Sequence, residues 1–449
     1  MPESTTDEPQ PSTPSKSITA WTVGLWCVSA VAGGVIVSGL LHDPEPELTT
    51  APPSSLRVTT PPPVTHTYRT PPIVYPTQIP GCDKVEPPVA EGGFATWGSS
   101  SEFGYDNPSF PWFSGPKAVA MSNALRTALP SGVVVEWASF DRSLFFQPIL
   151  GDAEQPFAGT TSAQASIRRG DQTGSLSVSV RKSGAAIPPC VAGQLDERRV
   201  LADGTTVDLQ DTWSETDDVR TTSRVAIAYS PDGDVVSVYG TDAPSAGGRP
   251  SGTVPMTRDE MVALATTPAV RATAPVPAGT PTPPESCSAP VDQPDPIPEM
   301  TAKRLNTVLA GVRLDGTTFD YPLGDLRLGE FNDGGLCQTV HATNDGGTSR
   351  LAISLVTGQA LSAESTTPSR DGVRITSRTL PDGAVVETQE LELTVMSQPP
   401  QVESTRTVIV TNTSGTQVRV TSTATAPTEP LPFSQLETIA LTPGLDVVS

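Results

Sequence analysis

The chain carries an internal duplication, and this feature constrains its fold more than any other. Residues 255–268 align without gaps to residues 430–443, and both segments show apolar positions at helical spacing before a closing proline. Upstream of these two segments, further positions of the first copy match positions of the second in the same order. The matching residues are 125 and 129 with 305 and 309, 176–180 with 351–355, 201–204 with 380–383, 224–227 with 406–409, and 236 and 238 with 418 and 420. Chance similarity between Thr/Val-rich segments would not keep this order, so the sequence predicts two tandem similar domains.

Each copy predicts an early helix, several strands and a closing helix. Apolar residues alternate with polar ones around Val178, Val236 and Ile409, which is the pattern of an antiparallel sheet with one buried face. Asp-Gly pairs such as Asp203-Gly204 supply the positive φ that hairpin turns need. We therefore predict the α+β class, with an antiparallel sheet and one or two packed helices in each domain.

An uncharged apolar run near the start predicts a membrane-spanning helix at residues 18–41. A helix that rises about 1.5 Å per residue would cross the hydrocarbon layer of about 30 Å over this length. Lys16 precedes the run and acidic residues follow it, so the positive-inside rule places the N-terminus in the cytoplasm and the bulk outside. The alternative is a signal peptide cleaved near Ser38 or Gly39, but the length of the run favours an uncleaved signal-anchor.

Proline-rich segments divide the rest of the chain, because its 48 prolines are clustered. Such segments take extended conformations and act as semi-rigid spacers, or they serve as plain disordered tethers. The predicted layout is a cytoplasmic disordered tail at 1–17, the membrane helix at 18–41, a Pro-rich tether at 42–81, repeat domain 1 at 82–271, a linker at 272–286, and repeat domain 2 at 287–449.

Four of the five cysteines lie beyond the apolar run: Cys82, Cys190, Cys287 and Cys337. An even number outside the cytoplasm suggests two disulfides. Cys82 and Cys287 each open one copy, so the simplest pairing is Cys82–Cys190 and Cys287–Cys337. Cys190 and Cys337 do not align with each other, and three connectivities therefore stay open.

The first copy holds an aromatic-rich insertion at about residues 92–115, since its opening cysteine lies farther from the early helix than in the second copy. Exposed aromatic rings among Gly, Ser and Asn would stack on sugars or take a peptide partner. Alternatively, the rings fold back and cap the core. The candidate binding residues are Phe94, Trp97, Phe103, Tyr105, Phe110, Trp112 and Phe113.

Charge and motif content argue against several functions. The net charge of −21 opposes nucleic-acid binding, which needs a basic surface. Of three histidines only His341 falls in a folded part, and with no nucleophile motif beside it we interpret it as a partly exposed strand residue. Zinc-type spacing and phosphate-binding loops are also missing, so we predict no metal, no cofactor and no enzymatic activity. The 49 acidic residues still leave a glycosidase-type carboxylate pair open.

The layout resembles actinobacterial single-pass membrane proteins of unknown function with a Pro/Thr-rich tether and extracytoplasmic α+β domains. The anchor at 18–41, the tether and the phrase Met261-Val262-Ala263-Leu264-Ala265-Thr266-Thr267-Pro268 carry the resemblance. The resemblance implies a location and an architecture, and it brings no catalytic residues.

These observations lead to one functional expectation and two alternatives. We expect a membrane-anchored extracytoplasmic binding, sensing or scaffolding protein of the cell envelope, with the membrane and an envelope protein or cell-wall glycan as partners. The first alternative is a cell-envelope hydrolase that uses paired carboxylates. The second is a structural stalk, for which the aromatic insertion would be buried.

Overall fold

The computed structural model describes residues 67–88, 104–149, 159–245, 247–289, 297–330, 332–361, 373–396 and 400–446. All described elements belong to one compact unit, His66–Ser449. This unit holds two similar domains, which confirms the predicted duplication.

Domain 1 is built on one antiparallel sheet in the order β1-β8-β9-β10-β5-β4-β3, with β7 also paired to β8 and a separate parallel pair β2-β6. Its helices are α1 (Gly115–Thr127) and α2 (Arg258–Ala265). Its strands are β1 (Tyr68–Arg69), β2 (Val85–Glu86), β3 (Val134–Val135), β4 (Thr160–Arg169), β5 (Gln172–Lys182), β6 (Cys190–Val191), β7 (Glu197–Val200), β8 (Thr206–Thr216), β9 (Val219–Tyr229) and β10 (Asp234–Thr241).

Domain 2 repeats this plan in the order β11-β13-β14-β18-β17-β16-β15, with β12 also paired to β13. Its helices are α3 (Glu299–Leu309) and α4 (Phe433–Ala440). Its strands are β11 (Thr318–Phe319), β12 (Arg327–Gly329), β13 (Asn332–Asn344), β14 (Gly347–Val356), β15 (Arg374–Thr379), β16 (Val385–Val395), β17 (Gln401–Thr411) and β18 (Gln417–Thr425).

The strand registers match the alignment of the two copies. Val238 lies opposite Val178 in the first sheet, and Val420 lies opposite Ile353 at the aligned position of the second. All four side chains are buried. Since a slip of one residue would turn every side chain to the other face, the shared register reflects the same buried face in both sheets.

One arginine in each domain ties the closing helix to the sheet in the same way. Arg224 on β9 pairs with Asp211 of β8, with Nε and Oδ1 2.6 Å apart, and also donates to the carbonyl of Met256 just before α2. Arg406 on β17 pairs with Glu390 of β16 at 3.1 Å and donates to the carbonyl of Pro430 just before α4. Each arginine thus fixes the approach of a closing helix to its sheet.

The helices cover one face of each sheet. Helix α2 packs on β9 and β10, and α4 packs on the aligned strands β17 and β18. Leu125 of α1 and Leu264 of α2 are fully buried in the core of domain 1, as Leu305 and Leu436 are in domain 2. Burying such side chains stabilises a fold by about 1.5–3 kcal/mol each, so these contacts hold the two layers together.

The predicted α+β class is wrong. About 38% of the described residues are in strands and 14% in helices, and the sheets are antiparallel in two similar β-sandwich-like domains. The four α-helices within the described ranges span only 8 to 13 residues and form a thin cover over strands that dominate each domain. The reason lies in composition, because β-branched residues alternate with polar ones through most of each copy and favour a pleated surface.

The predicted membrane helix at residues 18–41 lies outside the described residues, as does the predicted tail at 1–17. Within the described ranges no helix combines the length and apolarity that crossing a membrane requires. Strand β1, which pairs Tyr68 with Thr216 of β8, falls inside the predicted tether at 42–81. The sheet of domain 1 therefore begins before Cys82.

Candidate ligand-binding cleft

The segment that joins the domains is held by contacts with both. Lys117 of α1 donates from Nζ to the carbonyl of Arg271 at 2.9 Å and also to that of Ala274. On the other side, the Tyr321 hydroxyl donates to the carbonyl of Thr282 at 2.6 Å. Burial lowers the pKa of Lys117 to about 8. The joining segment is thus packed against both domains and forms part of a wall between them.

Two adjoining cavities lie at this junction, and together we call them the cleft. The inner cavity has a volume of about 160 Å³ and the outer one about 510 Å³. Residues of domain 1, of the joining segment and of domain 2 border both cavities; they include Phe140, Glu285, Ser286, Tyr321, Glu330 and Thr339. The cleft therefore exists only because the two domains meet.

Phe140 brings domain 1 to the cleft. It begins a short 3-10 turn, Phe140–Arg142, and its ring stacks against Phe145 with centroids 4.1 Å apart. From domain 2, the guanidinium of Arg327 on β12 lies over the Phe140 ring at 5.0 Å. A cation over an aromatic face is attracted by the ring quadrupole, so this contact joins the two domains beside the inner cavity.

A histidine and two carboxylates form the polar side of the outer cavity. His341 on β13 lies with Nδ1 3.0 Å from Oδ2 of Asp320 and Nε2 3.8 Å from Oε2 of Glu285. Glu285 also accepts from Arg350. The His341 side chain is 47% exposed. The two partners of the ring among the described residues are carboxylates, and they orient the ring. Neither is a serine or cysteine nucleophile.

Glu330 supplies a further acidic group, just after the end of β12. It borders both cavities and is half-buried. Burial raises the pKa of its carboxyl, and the nearby Asp141 carboxylate adds to the rise. Burial, and then the charge of Glu330, also raise the pKa of Tyr105. In the described part of the chain, no side chain forms a hydrogen bond or ion pair with the Glu330 carboxylate.

The aromatic candidates from the sequence divide into three groups. Phe94, Trp97 and Phe103 lie outside the described residues. Phe110 and Phe113 are buried in the core of domain 1, and Trp112 packs against it. Tyr105 packs against the same core and also borders the outer cavity, so it alone of the described candidates reaches the cleft.

Sequence reasoning missed the other main groups of the cleft. Phe140, Glu285 and Glu330 come from a turn, the joining segment and a strand end, and no linear spacing relates them. One weak signal was present, since Glu285 and Ser286 come just before the cysteine that opens the second copy. A segment tied down by a disulfide is held near the partner cysteine's strand, and that strand borders the cleft.

Two disulfides are present: Cys82–Cys190 with Cα atoms 6.3 Å apart, and Cys287–Cys337 at 5.8 Å. This is the pairing that the sequence analysis treated as the simplest. The second disulfide forms part of the wall of the inner cavity. Both fit an oxidising compartment outside the cytoplasm. Among the described residues, no group of three or more potential metal ligands occurs.

Comparison with protein-family models and with curated proteins finds no match. One solved structure that is similar is described as the crystal structure of the di-domain ARO/CYC StfQ from the steffimycin biosynthetic pathway. The match covers 69% of this chain and 81% of the chain in that structure. The sequence identity is 9% and the TM-score is 0.14. A TM-score this low supports no conclusion about the fold or the function of this chain.

Proposed function

We propose that the chain is an extracytoplasmic binding protein of the cell envelope, and that its ligand occupies the cleft between the domains. The cleft itself carries this proposal, since its two cavities of about 160 and 510 Å³ are bordered by both domains. Ligand sites often lie at domain junctions, where apolar walls surround a few polar groups. Attachment to the cell membrane through residues 18–41, with a cytoplasmic N-terminus, stays a prediction of the sequence.

The ion pairs and hydrogen bonds of the cleft carboxylates favour binding over the alternative of hydrolysis. A carboxylate-type hydrolase needs one proton-donating acid and one free carboxylate across the substrate. Burial raises the pKa of the Glu330 carboxyl, which is the direction that a proton-donating acid needs. The other three cleft carboxylates are already engaged: Glu285 with Arg350 and His341, Asp320 with His341, and Asp325 with Arg327. We therefore keep the prediction that the protein is not an enzyme.

Native mass spectrometry of the full-length protein, purified from its own cells, tests this proposal. Ser286 is exposed and borders both cavities, so Ser286→Trp should fill the cleft with little effect on the fold. We expect the wild type to carry a bound small molecule and Ser286→Trp to lose most of it.

Ser288→Trp is the matched control, because Ser288 is also exposed but borders neither cavity. This variant should keep the bound molecule at the wild-type level. Loss in both variants, retention in both, or an empty wild-type protein would each contradict a ligand site in the cleft.

A further inference from the structure

We propose that the cleft recognises an organic ammonium ion that carries an apolar group, with the Glu330 carboxylate as its counter-ion. This inference rests on the proposed function and names the chemical class of its ligand. Three observations support it: the aromatic walls, a Glu330 carboxylate with no partner among the described residues, and the largely apolar inner cavity.

The walls of the outer cavity are rich in aromatic rings. Tyr105 comes from domain 1 and Tyr321 from domain 2, while the ring of Phe140, which also borders the cavity, already lies under the Arg327 guanidinium. The negative face of an aromatic ring attracts ammonium groups, and several rings around one cavity form the surroundings that proteins use for such ligands. An anionic ligand would meet these same faces and gain nothing from them.

Within the described part of the chain, the charges around the cleft leave the Glu330 carboxylate without a counter-charge. Two guanidinium groups near the cleft are already used, since Arg350 pairs with Glu285 and Arg327 pairs with Asp325 at 2.6 Å. Glu330 has no such partner among the described residues. A half-buried carboxylate without a counter-charge is costly, and a bound cation would offset that cost.

The inner cavity accounts for the apolar part of the ligand. Phe140, Pro284, Leu328 and the disulfide Cys287–Cys337 border it, and Glu330 lies at its boundary with the outer cavity. A ligand with its ammonium beside Glu330 can therefore place a ring or alkyl group in the inner cavity. Its volume of about 160 Å³ suits a group of roughly the size of one aromatic ring.

The test uses benzylamine, which is cationic at neutral pH, and benzyl alcohol, which has a similar shape without the charge. Both are titrated into the full-length protein and followed by ligand-observed NMR. We expect benzylamine to bind about tenfold more tightly than benzyl alcohol. Glu330→Gln should remove this difference, since the amide keeps the shape of the side chain without its charge.

Glu392→Gln is the matched control, because Glu392 is an exposed residue of β16, a strand that borders neither cavity. It should leave the tenfold preference unchanged, and circular dichroism should show that both variants are folded. Equal binding of the two probes, or a preference that survives Glu330→Gln, would overturn the ammonium assignment. In that case, loss of the native ligand in Ser286→Trp would still support a ligand site in the cleft. The failure of this inference is therefore distinguishable from failure of the proposed function.

Discussion

At the scale of single residues, Glu260 shows how one side chain can complete a helix start. Its carboxylate accepts from the Thr257 backbone N–H at 2.8 Å, while the Thr257 hydroxyl accepts from the Glu260 backbone N–H. Arg169 of β4 binds the same carboxylate through two nitrogens at 3.0 and 2.8 Å. The Arg169 hydrogen bonds hold the pKa of Glu260 at about 2. The aligned residue in domain 2 is Gln435, which donates instead to the carbonyl of Asp315.

Glu260→Gln should lower the free energy of unfolding by about 1 kcal/mol at pH 7, because it removes the ion pair with Arg169 while the amide oxygen can still accept from the Thr257 N–H. The folded pKa of Glu260 is below its ordinary value of 4.5, so its stabilisation is present above pH 4.5 and is lost as the pH falls toward about 2. Denaturant titrations of both proteins between pH 7 and pH 2 measure this. The gap between them should close over that range, and a gap that stays constant would refute the assignment.

At the scale of helices and strands, the sequence predicted what depends on local pattern. The alternation of apolar and polar residues around Val178 and Val236 correctly predicted strands. The turn at Asp203-Gly204 has the expected positive φ at the glycine, +82°. The helical periodicity after Thr257 gave α2. The α+β class was wrong because local pattern does not weigh short helices against long strands. The cleft was missed because it depends on how distant segments pack.

Gly115→Ala should disturb the wall of the cleft through the start of α1. A Cβ at this position would lie 2.7 Å from Cδ of Pro283, and a proline ring in the joining segment cannot turn away as a flexible side chain would. We expect a loss of about 1–2 kcal/mol in the free energy of unfolding, as for other overpacked sites. Chemical denaturation measures this loss.

Gly184→Ala serves as the comparison for this change, because a Cβ there meets nothing within 4 Å. It should leave stability unchanged or raise it slightly, since alanine restricts the unfolded chain more than glycine does. Equal effects of the two substitutions would show that the joining segment is not packed against α1.

At the scale of the whole molecule, the two disulfides differ in what they hold. Cys82–Cys190 closes a sequence separation of 108 residues and lies in a small separate core with Ile79 and Leu195. Cys287–Cys337 closes a separation of 50 residues and fixes the joining segment to β13 beside the inner cavity. The first therefore acts on stability alone, and the second acts on stability and on the cleft.

Replacing Cys82 and Cys190 together by serine should lower the free energy of unfolding by about 3 kcal/mol, because the unfolded chain regains the freedom of a long loop. Replacing Cys287 and Cys337 should cost a similar or slightly smaller amount and should also weaken benzylamine binding. Denaturant titration and ligand-observed NMR on both double variants separate these effects. Equal binding by the two double variants would contradict the placement of the second disulfide at the cleft.

The sheets occur twice in the chain, but the junction that borders Phe140 and Glu330 occurs once. On the proposed function, each polypeptide should saturate at a single equivalent of ligand despite its repeated architecture. In evolutionary terms, an ancestor with one copy would have had no facing surface to complete the site. Recognition would then date from the tandem fusion itself, and either half expressed alone should be unable to bind.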